Sequence, residues 1–261
     1  MVVVLIPVVM ILFQIMSKGL ATMTWGFLTK TMPFSMMKAG GGFLNSLLGT
    51  LLMVGVASLI SVPVGILAAI YLEEYGKKNV LAQVIRFFSD VMTGVPSVFV
   101  GLFVYTAMVI RWGYGALFGG IALAIIMLPI VTRSTEEMLK LVPKELKDGS
   151  YALGAAKWQT MVKVVLPTAA PGISTGVMLA IARAAGETAP LILTALGSFN
   201  MVWTLTGQPV SALPLAILNG ARSPFDAAQS RAWAGALELL LLVVILTLAA
   251  RILSSRSRMQ R

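Results

Sequence analysis

The stretch AGGGFLNSLLGTLLMVGVASLISVPVGILAAIYL, residues 39–72, runs for 34 positions without one charged side chain. As a helix it would be roughly 50 Å long, at ~1.5 Å per residue. A hydrocarbon core of about 30 Å is crossed by about 20 apolar residues, so this segment can span a bilayer and continue beyond it. A helix apolar on every face also has no side to offer to water. Working outward, residues 188–221 give another 34 uncharged positions, 91–110 give 20, 112–132 give 21 and 164–182 give 19. Only 11% of the 261 residues are charged, 58% are hydrophobic and the mean hydropathy is +0.91, whereas soluble domains carry about 25% charged residues. Lipid supplies no hydrogen-bond partners, so windows this long must satisfy their own backbones as helices. The chain reads as an all-α integral membrane protein.

Six spans can be placed, at about residues 2–16, 45–71, 81–110, 116–131, 164–196 and 232–252. No basic residue precedes the first and no small-x-small cleavage site follows it, which reads as an uncleaved span rather than a signal peptide. Trp112-Gly113-Tyr114-Gly115 makes a tight turn with aromatics at interface depth. With the N-terminus inside, thirteen Lys and Arg fall on the cytoplasmic side, nine of them from Lys77 to Lys163 and four in the C-terminal tail. Six fall opposite (Lys18, Lys30, Lys38, Arg111, Arg222 and Arg231), and Arg183 lies within a span. The positive-inside bias then puts both termini of a multi-pass protein in the cytoplasm.

Residue types that are missing exclude whole chemistries. Without a cysteine or a histidine there is no Cys nucleophile, no disulfide, no Cys/His zinc site and no Ser-His-Asp triad. The ten acids are scattered, so neither a carboxylate metal site nor a catalytic site is called for, and no cofactor is implied. No G-x-x-x-x-G-K-[ST] occurs, so ATP used by this protein must be hydrolysed by a partner. The net charge of +10 sits in short loops between apolar spans rather than on a polar folded surface, which argues against nucleic acid and for membrane lipid as the surrounding partner.

Between the fourth and fifth spans lies a polar stretch, residues 132–163. Ser134 and Glu137 have the three-residue separation of a capping box and predict a helix start there. Proline at 143 ends that helix and opens a second, since proline suits a first turn. The segment 144–160 then carries Leu146, Ser150, Leu153 and Ala156 at mixed three- and four-residue spacing. Such a helix, lying along the membrane, suits another protein's groove; a surface helix merely joining two spans fits the same pattern.

Asp148-Gly149-Ser150, then Gly154, then Val164-x-Leu166-Pro167 reproduce the spacing of the signature E-A-A-x3-G-x9-I-x-L-P. The chain thereby resembles the membrane subunits of binding-protein-dependent ABC importers, with Asp in place of Glu, Gly and Ser in place of the alanines and Val in place of Ile. Gly94-Val95-Pro96-Ser97, residues 132–139 (TRSTEEML) and residues 141–146 (LVPKEL) are similar to the phosphate-specific permeases. Residues 182–190 (ARAAGETAP) and 211–214 (SALP) are similar to the PstA family rather than to its PstC partner. The resemblance implies one MetI-like permease domain over residues 1–261, in a bacterial or archaeal cytoplasmic membrane. It further implies that 144–160 is the coupling segment, with Asp148, Gly149, Ser150, Gly154, Leu166 and Pro167 at the ATPase contact. The implied partners are a homologous PstC-like permease, two copies of an ATP-binding subunit and an extracytoplasmic phosphate-binding protein.

Four residues inside the spans stand out as candidates for a substrate pathway: Arg183, Glu187, Thr93 and Ser97. Arg183 and Glu187 are four apart and would share one helix face. Ionisable groups in a span cost about 2.5–3.5 kcal/mol on insertion scales and tend to face a bundle interior. A guanidinium offers a forked donor set to a phosphate oxyanion, while a structural ion pair would account for the same two residues. Pro96 should kink or break the third span, and such a break can aim Thr93, Ser97 and backbone N–H groups at an anion; a packing kink is the alternative. Ser61-Val62-Pro63 in span two, Asp90 and Glu238 read as structural. A permease for another anion or small solute, or a six-span channel or intramembrane enzyme, would share much of this hydropathy profile.

Overall fold

The computed structural model describes the backbone over residues 2–76 and 79–259 and side chains over 5–76 and 79–248. Lys77, Lys78 and Arg261 of the charge count, and the side chains of Arg251, Arg256 and Arg258, lie outside the described residues. Eleven helices follow in order among the described residues. They are α1 (Val2–Thr22), α2 (Trp25–Thr29), α3 (Leu44–Glu74), α4 (Val80–Gly94), α5 (Ser97–Trp112) and α6 (Ala116–Lys140), then α7 (Lys144–Ala152), α8 (Lys157–Gly186), α9 (Ala189–Thr194), α10 (Leu213–Arg222) and α11 (Asp226–Met259). Five are long and apolar enough to cross a membrane, and the bent pair α4–α5 makes a sixth span if taken as one.

The helix ends differ from the sequence expectation where a proline or glycine acts differently in context. The expected third span is two helices, because Val95 turns to extended backbone and Pro96 brings no N–H. The expected fifth span begins earlier and ends at Gly186, after which Glu187 and Thr188 are non-helical before α9. Prolines 167 and 171 stay inside α8. The ring of Pro167 would crowd the carbonyl of Lys163, and a wide π-helical turn at Met161–Val165 absorbs that clash. Ser134 does not cap a new helix: α6 runs through it, its backbone is already in the ladder, and its hydroxyl donates to Val131 O at 3.2 Å. Two short helices, α2 and α10, occupy stretches expected to be loops.

The chain divides into two compact units. The first comprises residues 1–56, 97–123 and 185–244. Its apolar centre is Phe27, Phe43, Leu213, Ala216 and Ala234, with the two phenyl rings 5.4 Å apart. Polar residues in the opening turns of α3 hold its loops. Asn45 Nδ2 donates to Ser198 O (2.8 Å) and its Oδ1 accepts from Met32 N (3.2 Å), while the Ser46 and Ser211 hydroxyls are 2.8 Å apart. The cap position of α10 is Ala212, which has no acceptor; Thr50 Oγ1 takes the Leu213 N–H at 2.8 Å instead. Arg231 is 3% exposed and donates to the carbonyls of Met36 (2.9 Å), Lys38 (2.5 Å) and Gly40 (3.2 Å), fastening the 36–40 loop to α11.

The second unit comprises residues 57–96, 124–184 and 245–261. Small residues let its helices approach closely, as membrane packing favours. A Cβ on Gly65 of α3 would sit 2.8 Å from Val131 of α6, and one on Gly176 of α8 would collide with the Ser134 side chain. Segment 144–160 belongs wholly to this unit.

Candidate functional site

Segment 144–160 is not one helix. α7 starts after Pro143, whose ψ of 137° is extended, and carries Glu145 in its first turn, where an acid suits the helix dipole. It ends in a Schellman motif: Gly154 N donates to Tyr151 O (2.9 Å), Ala155 N donates to Ser150 O (3.2 Å), and Gly154 has φ +81°. An L side chain in that left-handed region is strained, which is the physical reason for glycine at this point of the signature. The chain then re-enters helix at Lys157, with Gln159 Oε1 accepting from Ala156 N at 2.9 Å. The Ser150 and Thr160 hydroxyls, 2.9 Å apart, tie the two helices across the turn.

Asp148, Gly149, Ser150 and Gly154 all lie on α7 and the turn that ends it, the first two and Gly154 exposed and Ser150 half-buried. Leu166 and Pro167 lie further on, within α8 beyond its wide turn, and are half-buried. Three large apolar side chains at or near this turn are exposed: Leu153 is 91% exposed, Leu141 73% and Trp158 60%. Burying one such side chain contributes about 1.5–3 kcal/mol, so each is suited to contact with another protein. Tyr151 is held neutral to higher pH than usual by desolvation and then by the neighbouring Glu74 carboxylate, to which its hydroxyl donates at 3.4 Å.

The pathway candidates divide between the units by residue, Thr93 and Arg183 in the second, Ser97 and Glu187 in the first. Thr93 spends its one hydroxyl proton on Asp90 O at 2.7 Å. Arg183 is exposed in the last turn of α8, where a cation suits the helix dipole. Glu187 is the first residue past the end of that helix. Both side chains have interaction partners. Glu238 is 4% exposed in α11.

Sequence reading missed an ionic lattice in the second unit. Glu136 Oε1 accepts from Arg86 Nη2 (3.0 Å), Arg86 Nε (3.3 Å) and Lys140 Nζ (2.8 Å), and Arg133 Nη1 donates to Asp90 Oδ1 (3.1 Å). The four-residue spacing of Glu136 and Lys140 was a signal for one of these contacts; Arg86 and Glu136, fifty residues apart, left none.

The family described as binding-protein-dependent transport system inner membrane component matches residues 61–259, which includes the turn at Gly154 and both helix breaks. The chain belongs to this family. Its similarity extends to a phosphate transport system permease protein PstA of Yersinia pestis, 44% identical over 250 residues, 95% of this chain and 84% of that one. It is 39% identical over 264 residues to PstA 1 of Mycobacterium tuberculosis, 98% of this chain and 86% of that one. Among solved structures, an inward-facing MetNI methionine ABC transporter is similar with a TM-score of 0.64 at 18% identity, covering 82% of this chain and 94% of that chain. A bacterial ABC transporter for the import of alginate is similar with a TM-score of 0.63 at 16% identity, covering 82% and 79%. At such identities these two show the fold alone, that of an ABC-importer permease. This inner-membrane component is therefore a transport subunit and not an enzyme, and its family works with ATP-binding and substrate-binding partners.

Proposed function

We propose that this inner-membrane component is the permease subunit of an ATP-driven importer of inorganic phosphate. The identity of 39–44% over nearly the whole chain to permeases named for phosphate transport carries the reading. Its complex pairs this chain with a homologous PstC-like permease, two ATP-binding subunits and an extracytoplasmic phosphate-binding protein. The α7 turn around Asp148, Gly149, Ser150 and Gly154 is its ATPase contact, and Leu166 and Pro167 set the start of the span behind it. Both termini lie in the cytoplasm, supported by thirteen Lys and Arg against six. Within the pathway, Arg183 serves as the forked donor to phosphate, with Glu187, Thr93 and Ser97 beside the helix breaks.

Uptake of radiolabelled phosphate by cells lacking their own importer and supplied with the whole complex tests the cargo. Phosphate should be taken up in preference to sulfate and other competing anions. Uptake of another anion in the presence of excess phosphate would overturn the assignment and return the alternative cargo.

A further inference from the structure

We propose that the last turn of α3 is a relay that passes movement of the coupling helix α7 to α4, with Glu73 and Arg86 as its positioning residues. The proposal rests on the importer reading above and adds to it the route of coupling within this chain. Three consecutive residues carry the contacts. On the α7 side, Lys147 Nζ lies 3.8 Å from Glu73 Oε1, with the two side chains only 17% and 14% exposed, and Tyr151 donates to Glu74 Oε1 at 3.4 Å. On the α4 side, Arg86 Nη2 donates to Leu72 O at 3.2 Å while the same guanidinium holds Glu136 of α6. The final carbonyls of a helix lack partners in their own ladder, and Arg86 satisfies one of them from α4.

α4 is the element such a relay can move. Among its described residues only Ala82 is buried, while Val84, Phe87 and Val91 are exposed. Little apolar packing fastens it to its unit; what does is polar, the Arg86 fork and the Asp90–Arg133 pair. Ion pairs can exchange partners without opening a packed core, so a shift of Leu72–Glu74 is delivered to Arg86 and hence to the helix that ends at Gly94.

A cavity of about 220 Å³ beside this lattice offers a competing ligand-site reading. Its three bases, Arg86, Arg133 and Lys140, face three acids, Asp90, Glu136 and Glu137, and each base already contacts a carboxylate. An anion would have to displace a carboxylate at every base. The balance of charge favours a set of pins over a binding site.

The test reads phosphate imported per ATP hydrolysed, in proteoliposomes holding the assembled transporter with its loaded binding protein. Glu73→Gln and Arg86→Gln should each lower that ratio at least fivefold, with ATP hydrolysis within twofold of wild type. Because the contacts act in series, the double variant should be no lower than the worse single. A ratio within twofold of wild type in either single variant, or a double variant falling by the product of the two, overturns the relay. Arg86→Lys keeps the charge beside Glu136 but lacks the fork that also reaches Leu72 O, so it should be uncoupled too. A wild-type ratio in Arg86→Lys, or failure of both Arg86 variants to assemble, makes Arg86 a structural pin and ends the proposal. A wild-type complex that imports nothing sinks the importer reading; one that imports phosphate beside fully coupled variants sinks the relay alone.

Discussion

Gly154 shows most directly what one residue contributes. An added Cβ there would meet nothing within 4 Å, yet φ is +81°, so substitution acts through backbone strain of about 1–2 kcal/mol and not through a clash. Gly154→Ala and Gly154→Val should both weaken co-purification of the ATP-binding subunits and cut phosphate uptake several-fold, whereas Gly154→Asn, tolerant of this region, should retain most of both. Equal behaviour of Ala and wild type would remove the motif from coupling. Arg231 is the opposite kind of residue, a buried cation held by three carbonyls. Hydrogen bonds to a charged group contribute about 1.5–3 kcal/mol each, not additively, so Arg231→Leu should lose about 2 kcal/mol or more. Thermal unfolding in detergent should register a midpoint lower by several degrees. At Arg183 the measurement that separates transport from structure is uptake in Arg183→Ala and in the double variant with Glu187→Ala. With a pathway role, assembly persists, uptake is lost in both, and Lys at 183 fails to restore it for want of a planar fork; recovery in the double variant would mean a structural pair.

At the scale of elements, α7 and the turns on either side of it expose the large apolar side chains of Leu141, Leu153 and Trp158. Leu153→Asp, at 91% exposure, should leave membrane insertion and thermal stability within about 0.5 kcal/mol of wild type, as exposed substitutions do. It should nonetheless reduce the ATP-binding subunit recovered with the complex by tenfold or more. Trp158→Ala should act in the same direction. Undiminished recovery with both variants would show that this face is not the docking surface. The helix breaks belong to this scale too. Pro96 stands at a break, but Pro63, Pro129 and Pro171 stay inside regular helix, and Pro167 follows a π-helical turn that makes room for its ring. A proline in the sequence therefore does not by itself decide where a helix breaks.

For the whole molecule the sharpest expectation is topology. The chain has no cysteine of its own, so single cysteines report cleanly. Gln208→Cys, in an exposed loop, should react with an impermeant thiol reagent from outside, and Asp148→Cys only after the membrane is opened. The reverse pattern would invert the positive-inside assignment and place α7 away from any cytoplasmic ATPase. The long uncharged windows made the helical membrane class legible, since apolar length is a property of the local chain. The signature around Gly154 could be found in the sequence, but the break it makes could not: segment 144–160 was expected as one helix, and Gly154, at φ +81°, ends α7 inside it.

What the sequence by itself determined was therefore the material of the bilayer spans and the proline break at 96. Each depends on interactions between residues close along the chain. Tertiary structure alone decided that Glu136 is held by Arg86, that Thr50 supplies the cap α10 lacks and that Arg231 fastens the 36–40 loop. It also decided that α8 stops at Gly186, leaving Glu187 outside the helix. The physical reason is common to the first three. A buried polar group must find a partner wherever folding brings one within about 3 Å, and that partner can be fifty or two hundred residues away, where neither periodicity nor spacing can point to it.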